Sequence, residues 1–524
     1  MIFDVVIRGG RLFDGSGAPP RSVDVGICGD RIESIGDLAG VEAARVIFAI
    51  GRSVCPGFID VHSHSDTYLL LEPSAPSKVF QGVTTEVVGN CGASAAPRLD
   101  RYLMPSDWRA MKYPGTWRTV AEYRALLEQV KPAVNVILLI GHNALRASVM
   151  GYDERAANPD ELKGMSDLLA QSLDEGGAGL STGLIYSPGM FAAPAEIVEL
   201  VRGVAARGKI YTSHMRSEGK RLLEALDETI GVGRETGVRV QVSHLKTSGR
   251  ANWGLVDAAL ERVRSARAQG LDVAADRYPY TAACTELDVI LPAWASGGGR
   301  DEVLKRLHKP ATRARLRDEL SEARDAAYWE SLRIGSTWHP DNARFKGRLM
   351  PEVARELGLE PVDAALHLMD TDELHTSGIF FGMSEPNMWK ILAEPYVMIG
   401  SDASLRAPTG PLSKDHPHPR AYGTFPRFLR AALDGRTVSL PEAIRKMTSL
   451  PARQFNLKDR GEIAPGRKAD LVVFDPDGVG DTATYEHPHQ LARGIDAVLV
   501  NGVPVLSGGA LTGERPGLFL EPGN

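Results

Sequence analysis

Cysteine is scarce in this chain of 524 residues. There are four, Cys28, Cys55, Cys91 and Cys284, irregularly spaced and with no CxxC pair. That excludes a disulfide framework and favours a reducing compartment. Long apolar runs are missing as well, none approaching the roughly 20 residues that span a bilayer. The N-terminus, MIFDVVIRGG, lacks the basic start and apolar core of a signal peptide, so a cytoplasmic protein is expected. Positive charge is not in excess: 60 Lys and Arg against 66 Asp and Glu leave a formal net charge of -6. Nucleic acid and anionic membrane are therefore poor candidates for the main partner, and a small-molecule substrate is the better expectation. A doubly wound sheet is the main alternative architecture, but neither GxGxxG nor GxxxxGK[ST] occurs where a strand meets a helix. No solenoid-period repeat and no low-complexity segment is present.

What is present reads as a large α/β protein with many tight connections, supplied by 54 Gly and 33 Pro. Residues 1–55 break into short strands separated by turns, and the end of the chain does the same around the Asn501-Gly502 dipeptide, a strong hairpin signal. The two ends are expected to pair into one small β-sandwich domain, from residues 1–55 and 461–524. Between them, in 56–460, strand-like runs alternate with amphipathic stretches. The runs are 57–62, 83–91, 135–142, 178–184, 209–214, 239–244, 271–278 and 396–402. Eight such units predict an α/β fold of the (β/α)8 TIM-type barrel class. Two further strand-like runs, 331–336 and 378–382, stand outside the eight, and a helix-rich insertion after the seventh strand is expected over about 281–340.

Active sites of such barrels lie at the C-terminal ends of the strands. Here those ends carry His62 and His64, Cys91, His142, His214, His244 with Lys246, Asp276 with Tyr278, and Asp402, with Tyr186 just past the fourth. Singly, each has a plain structural explanation: solvated loop histidines, an inert buried thiol, hydrogen-bonded core imidazoles, an Asx-turn carboxylate. Together, one thiolate and several imidazoles at one mouth form a donor set that suits Zn²⁺. His62 and His64, at i and i+2, are expected to leave a strand on one face.

These residues resemble the amidohydrolase superfamily and, within it, the N-acyl-D-amino-acid deacylase (D-aminoacylase) family. The resemblance extends along nearly the whole chain, through PGFIDVHSHSD, GVTTEVVGNCG, GHNALR, GLSTGLIYSPG, SHMRSE, SHLK, SDA, HPHPR and GEIAPGRKADLVVFD. The last marks the superfamily only, whereas the Cys91 segment and HPHPR discriminate within it. The resemblance implies a zinc-dependent amidohydrolase that cleaves N-acyl-D-amino acids to a carboxylate and a free D-amino acid. It implies Cys91, His214 and His244 as ligands of a tightly held zinc, and His62, His64 and Asp402 as a second, weaker position. Asp402 is implied as general acid/base, and Lys246, Tyr186, Tyr278 and Arg420 as the holders of the substrate α-carboxylate. No lysine for a carbamylated bridge stands in 178–184, where many binuclear relatives carry one. Cys91 fills that need in the deacylases.

The segment after the seventh strand, LDVILPAWASGGG, offers Leu287, Ile290, Leu291 and Trp294 but no base before Arg300. Neutral or aliphatic D-amino acids are therefore expected, unless Arg406 or Lys414 enters the pocket. A D-dipeptidase, a cyclic-amide hydrolase and a catalytically silent relative are the alternatives.

Overall fold

The computed structural model describes residues 2–109 and 111–523. Its frame is a succession of short parallel strands: β1 (Phe58–Asp60), β2 (Val83–Val88), β3 (Asn135–Leu138), β4 (Gly179–Gly183), β5 (Ile210–His214), β6 (Arg239–Val242), β7 (Val273–Arg277) and β8 (Val397–Ile399). β1 pairs with β2 and β2 with β3. The chain of β3 resumes as Ile140–Gly141, which pairs with β4, and β4 to β8 follow in sequence order. Past the strand ends, Ser63 and Ala403 form a parallel bridge, and the Asp402 amide donates to the His62 carbonyl at 2.7 Å. Parallel neighbours require crossovers, and helices supply them. Two crossover helices, Val120–Val130 and Pro159–Asp174, begin with full capping boxes, Thr119 with Glu122 and Asn158 with Glu161. Covered on both faces, the strands are buried almost throughout, polar residues such as Glu86, Gln241 and Asp276 included. Ile59, Val61, Val87, Ile137, Ile210 and Met398 form a core among them.

The strands are shorter than their apolar runs suggested. Cys91, His244 and Asp402 lie beyond the last paired residues and have φ of 54°, 35° and 50°, values that take a side chain out of strand alternation. His62 and His64 likewise follow the end of β1, so a shared strand face does not account for their pairing. The third run also ends early: His142 is the first residue of a helix, His142–Met150, rather than a strand terminus.

The excursion between β7 and β8 is longer than the expected 281–340. Ala283–Glu286, Leu332–Ile334 and Ser377–Phe380 form a separate antiparallel sheet. Both supernumerary runs are thus accounted for. The excursion has its own core, with Leu316, Leu332, Val353 and Leu366 fully buried.

Both chain ends enter one nine-stranded sheet. Ser53–Pro56 pairs antiparallel with Leu471–Phe474, and Val500 pairs with Val503 across Asn501 and Gly502. These two turn residues have φ of 48° and 80°, the left-handed conformation that a tight two-residue hairpin requires.

Candidate metal centre and active site

Two groups of donor atoms meet beyond the ends of β1, β2, β5, β6 and β8. Cys91, His214 and His244 form one and His62, His64, Cys91 and Asp402 the other, with the donor atoms of each group within 4.8 Å of one another. Cys91 belongs to both. Its Sγ lies 3.2 Å from His62 Nε2 and 3.5 Å from His244 Nε2. All six expected ligands are therefore assembled. His142 is not among them: its Nε2 meets Glu196 at 2.8 Å, and Arg146 joins the same carboxylate at 2.6 Å while donating to the Pro188 carbonyl at 3.0 Å.

The Cys91 turn depends on glycine. Gly89 has φ of 78°, and a Cβ there would stand 2.1 Å from the Leu139 carbonyl oxygen. The close approach of this turn to the chain after β3 carries Cys91 to the centre of the cluster.

The imidazoles are oriented from behind. His62 Nδ1 faces Asp276 at 3.2 Å, leaving Nε2 toward Cys91 and Asp402. His244 Nδ1 faces Glu218 at 2.7 Å, with Lys246 Nζ at 2.8 Å. A carboxylate behind Nδ1 fixes the tautomer in which Nε2 is free to ligate, the usual arrangement around zinc. His214 supplies the sharpest test of fit. Both its ring nitrogens are buried without a hydrogen-bond partner, which is costly unless something binds them. A zinc ion suits this donor set.

The electrostatics favour the metal-binding form at Cys91, Asp402 and His214. Burial pushes the Cys91 thiol up, but the His62 and His244 rings reverse this and hold it well below the ordinary cysteine value. Burial alone would also raise Asp402, and Arg420 with His244 and His62 brings it well below the carboxylate range. Burial and the neighbouring His244 ring keep His214 low. Thiolate, carboxylate and neutral imidazole are the forms that bind metal. His214 is held in that form. At the other imidazoles the surrounding anions Asp276, Cys91, Asp402 and Glu218 outweigh burial, raising His62, His64 to about 9 and His244 to about 10. A bound cation would have to displace their protons.

The four residues expected to hold a carboxylate stand around the same cavity, of about 810 Å³. Arg420 lies over the Tyr278 ring at 4.6 Å, with Lys246 Nζ 5.9 Å from the same ring. The Tyr278 hydroxyl is buried and unpartnered. Tyr186 packs edge-on to His214 at 5.0 Å, its hydroxyl 3.2 Å from Thr285 Oγ1. Two contacts were not foreseen. Arg420 Nη1 donates to Asp402 at 2.7 Å and Nη2 to the Cys284 carbonyl at 3.1 Å, and Lys246 is ion-paired with Glu218.

Sequence reasoning also missed a buried ion network beneath the ligands. Lys78, fully buried, meets Asp60 at 2.8 Å, Glu86 at 3.0 Å, Ser401 Oγ at 3.0 Å and the Ala403 carbonyl at 3.1 Å. Asp60 in turn accepts from the Ser401 amide at 2.8 Å. The network ties the end of β1, which leads to His62, to the Ser401–Ala403 turn that carries Asp402. Glu218 was within reach of the sequence, four residues after His214 in SHMRSE. Lys78 carried no such signal, lying in an unremarkable PSKV turn.

The family model described as Amidohydrolase family matches residues 45–506. The chain is 40% identical to a D-aminoacylase of Alcaligenes xylosoxydans xylosoxydans, over 99% of this chain and 97% of that protein. It is 38% identical to an N-acyl-D-glutamate deacylase of the same organism, over 99% of this chain and 96% of the other. Among solved structures, it resembles the N-acyl-D-glutamate deacylase of Bordetella bronchiseptica, complexed with zinc and a phosphonate inhibitor that mimics the tetrahedral intermediate. The TM-score is 0.85 at 35% identity, covering 99% of this chain and 100% of that one. Matched along its whole length and at this identity, the chain belongs to the amidohydrolase family, in the group of the D-aminoacylases and N-acyl-D-amino-acid deacylases.

Proposed function

We propose that this protein is a zinc-dependent deacylase that hydrolyses the amide bond of N-acyl-D-amino acids, releasing a carboxylate and a free D-amino acid. The observation that carries the reading is His214, whose two buried, partnerless nitrogens stand beside Cys91, His244 and an ionised Asp402. Cys91, His214 and His244 would hold the zinc, with His62, His64 and Asp402 as a second, weaker position. Bound zinc supplies a Lewis acid and lowers the pKa of water near it.

The protein's own groups do the rest. Lys246, Arg420 and the Tyr278 and Tyr186 hydroxyls orient the substrate α-carboxylate, the guanidinium by its planar fork. Arg420 then serves two anions, the substrate and Asp402. Asp402 takes a proton from the attacking water and returns it to the amide nitrogen as the C–N bond breaks. The same reading makes β1 to β8 a (β/α)8 barrel, over about 56–460, and the nine-stranded sheet of the two chain ends, 1–55 and 461–524, a separate β-domain.

Arg406 and Lys414 both line the cavity, the condition under which an acidic side chain would be taken. The preference for neutral or aliphatic side chains therefore rests on how these two cations are engaged. Arg406 is paired with Asp415 at 2.5 Å and lies over Tyr68, which leaves its charge neutralised. Lys414 is exposed, its carbonyl accepting from Lys346 Nζ at 2.8 Å. The test is amine release from matched N-acetyl-D- and N-acetyl-L-amino acids, with zinc added and after chelation. Release from the D-series alone, abolished by chelation, is expected. Release from neither series by zinc-loaded protein would move the activity to dipeptides or cyclic amides.

A further inference from the structure

The cavity over the ligand cluster is larger than an N-acetyl amino acid requires. Its volume of about 810 Å³ falls where drug-sized ligands bind, whereas an N-acetyl amino acid has only about a dozen non-hydrogen atoms. The inner wall, with His64, Lys246, Asp402 and Arg420, is polar. Away from them, at the outer wall, the lining mixes apolar and charged side chains: Leu103, Met104, Trp108, Val303, Leu374 and Trp338 stand there with Arg109 and Arg300. Leu103 and Trp338 are 43% and 55% exposed, large apolar side chains left in water beside a polar reaction centre. Trp338 is held from behind. Its ring stacks on His375 at 4.9 Å and 20°, and His375 Nδ1 lies 2.9 Å from the Asp372 carbonyl and 3.3 Å from Arg300, itself paired with Glu373. A braced, half-exposed indole is a rigid apolar contact surface that gains free energy when covered.

We propose that this outer chamber is an acyl subsite, in which Trp338 on its His375 base receives an extended apolar acyl group, aromatic or with a chain of about six or more carbons. The inference rests on the deacylase reading of the metal centre. The assignment to the acyl group, and not to the amino-acid side chain, follows from connectivity. The side chain shares its carbon with the α-carboxylate, so Lys246, Tyr278 and Arg420 keep both at the inner wall. The acyl chain leaves from the far side of the scissile bond, so its length can extend toward the rim.

The experiment compares N-acetyl-, N-butanoyl-, N-octanoyl- and N-phenylacetyl-D-methionine on the zinc-loaded wild type and Trp338→Ala. It reads kcat/KM, and calorimetric Kd on Asp402→Asn. A fully buried methylene is worth about fourfold in affinity, so even partial burial of the octanoyl chain should raise kcat/KM at least about tenfold over acetyl. Trp338→Ala should cut the octanoyl and phenylacetyl values by at least about fivefold and leave acetyl within about twofold. A flat acyl series in the wild type overturns the subsite. So does an equal loss for acetyl and octanoyl, or a change only in discrimination among N-acetyl-D-alanine, -leucine and -phenylalanine. If no compound is cleaved, the deacylase reading falls by itself. Calorimetry on the wild type then still decides the chamber, octanoyl binding no tighter than acetyl counting against it.

Discussion

Asp402 gives one oxygen to His62 and His64, at 3.3 and 3.1 Å, and the other to Arg420 at 2.7 Å. Held ionised by these neighbours, it is ready to accept a proton and close enough to the ligands to touch the metal. Asp402→Asn keeps the shape and removes the base, so turnover should fall by about 10²- to 10⁴-fold. Zinc should stay on Cys91, His214 and His244. Metal content of about one zinc per chain alongside lost kcat is the expected result, and wild-type turnover would remove Asp402 from the chemistry. Lys78 makes a different kind of demand. Replacing it with Met strands Asp60 and Glu86, both fully buried, and should cost about 3–5 kcal/mol in urea unfolding. The ligands were legible as residue types in the sequence because zinc restricts its donors to few. Their supports were not, since Asp60, Glu86 and Lys78 act through three-dimensional neighbours up to 341 residues away.

At the scale of elements, the parallel strands serve to end in the right place. Their runs are readable from the apolar residues that recur along them. Polar residues are buried inside the strands as well as beyond them, Glu86, Gln241 and Asp276 among them, so polarity does not mark where pairing stops. Val83–Val88 closes three residues before Cys91, and Arg239–Val242 two before His244. The left-handed residues at Cys91, His244 and Asp402 belong to the site, where backbone strain is stored and the surrounding packing sustains it. His142 misled for the same reason: nothing in GHNALR separates the last strand residue from the first helical one. Gly89→Ala tests the dependence of the site on this turn. The new Cβ would meet the Leu139 carbonyl at 2.1 Å with φ already at 78°, so the Gly89–Cys91 turn must shift. Loss of zinc, read as metal per chain, is expected together with a lower Tm. A variant that keeps full zinc content would show that the approach of this turn to β3 does not set the ligand geometry.

For the whole molecule, stability is tied to charge as well as to packing. Lys446 lies at the opposite end of β8 from Asp402, where Nζ donates to the Val397 carbonyl at 2.8 Å and to that of Glu394. Burial there depresses its pKa from 10.5 to about 7. A lysine whose folded pKa lies below its unfolded one binds fewer protons when folded across that interval, so its contribution to stability rises with pH from about 7 toward 10. Cys55 works the other way. Its folded pKa is driven above the ordinary thiol value by burial, so its contribution is complete below pH 9 and declines above it. A single pH–stability curve mixes these effects, but the difference between wild type and Lys446→Met isolates one. Urea midpoints at pH 6.5, 7.5, 8.5 and 9.5 should show the wild type gaining on the variant by up to about 1.4 kcal/mol per pH unit. The two accepting carbonyls offset part of the burial penalty by stabilising the ammonium, which makes that slope a ceiling. A difference that stays constant from pH 7 to 9.5 would mean that Lys446 remains charged in the folded protein and that its carbonyl partners outweigh the cost of burying it.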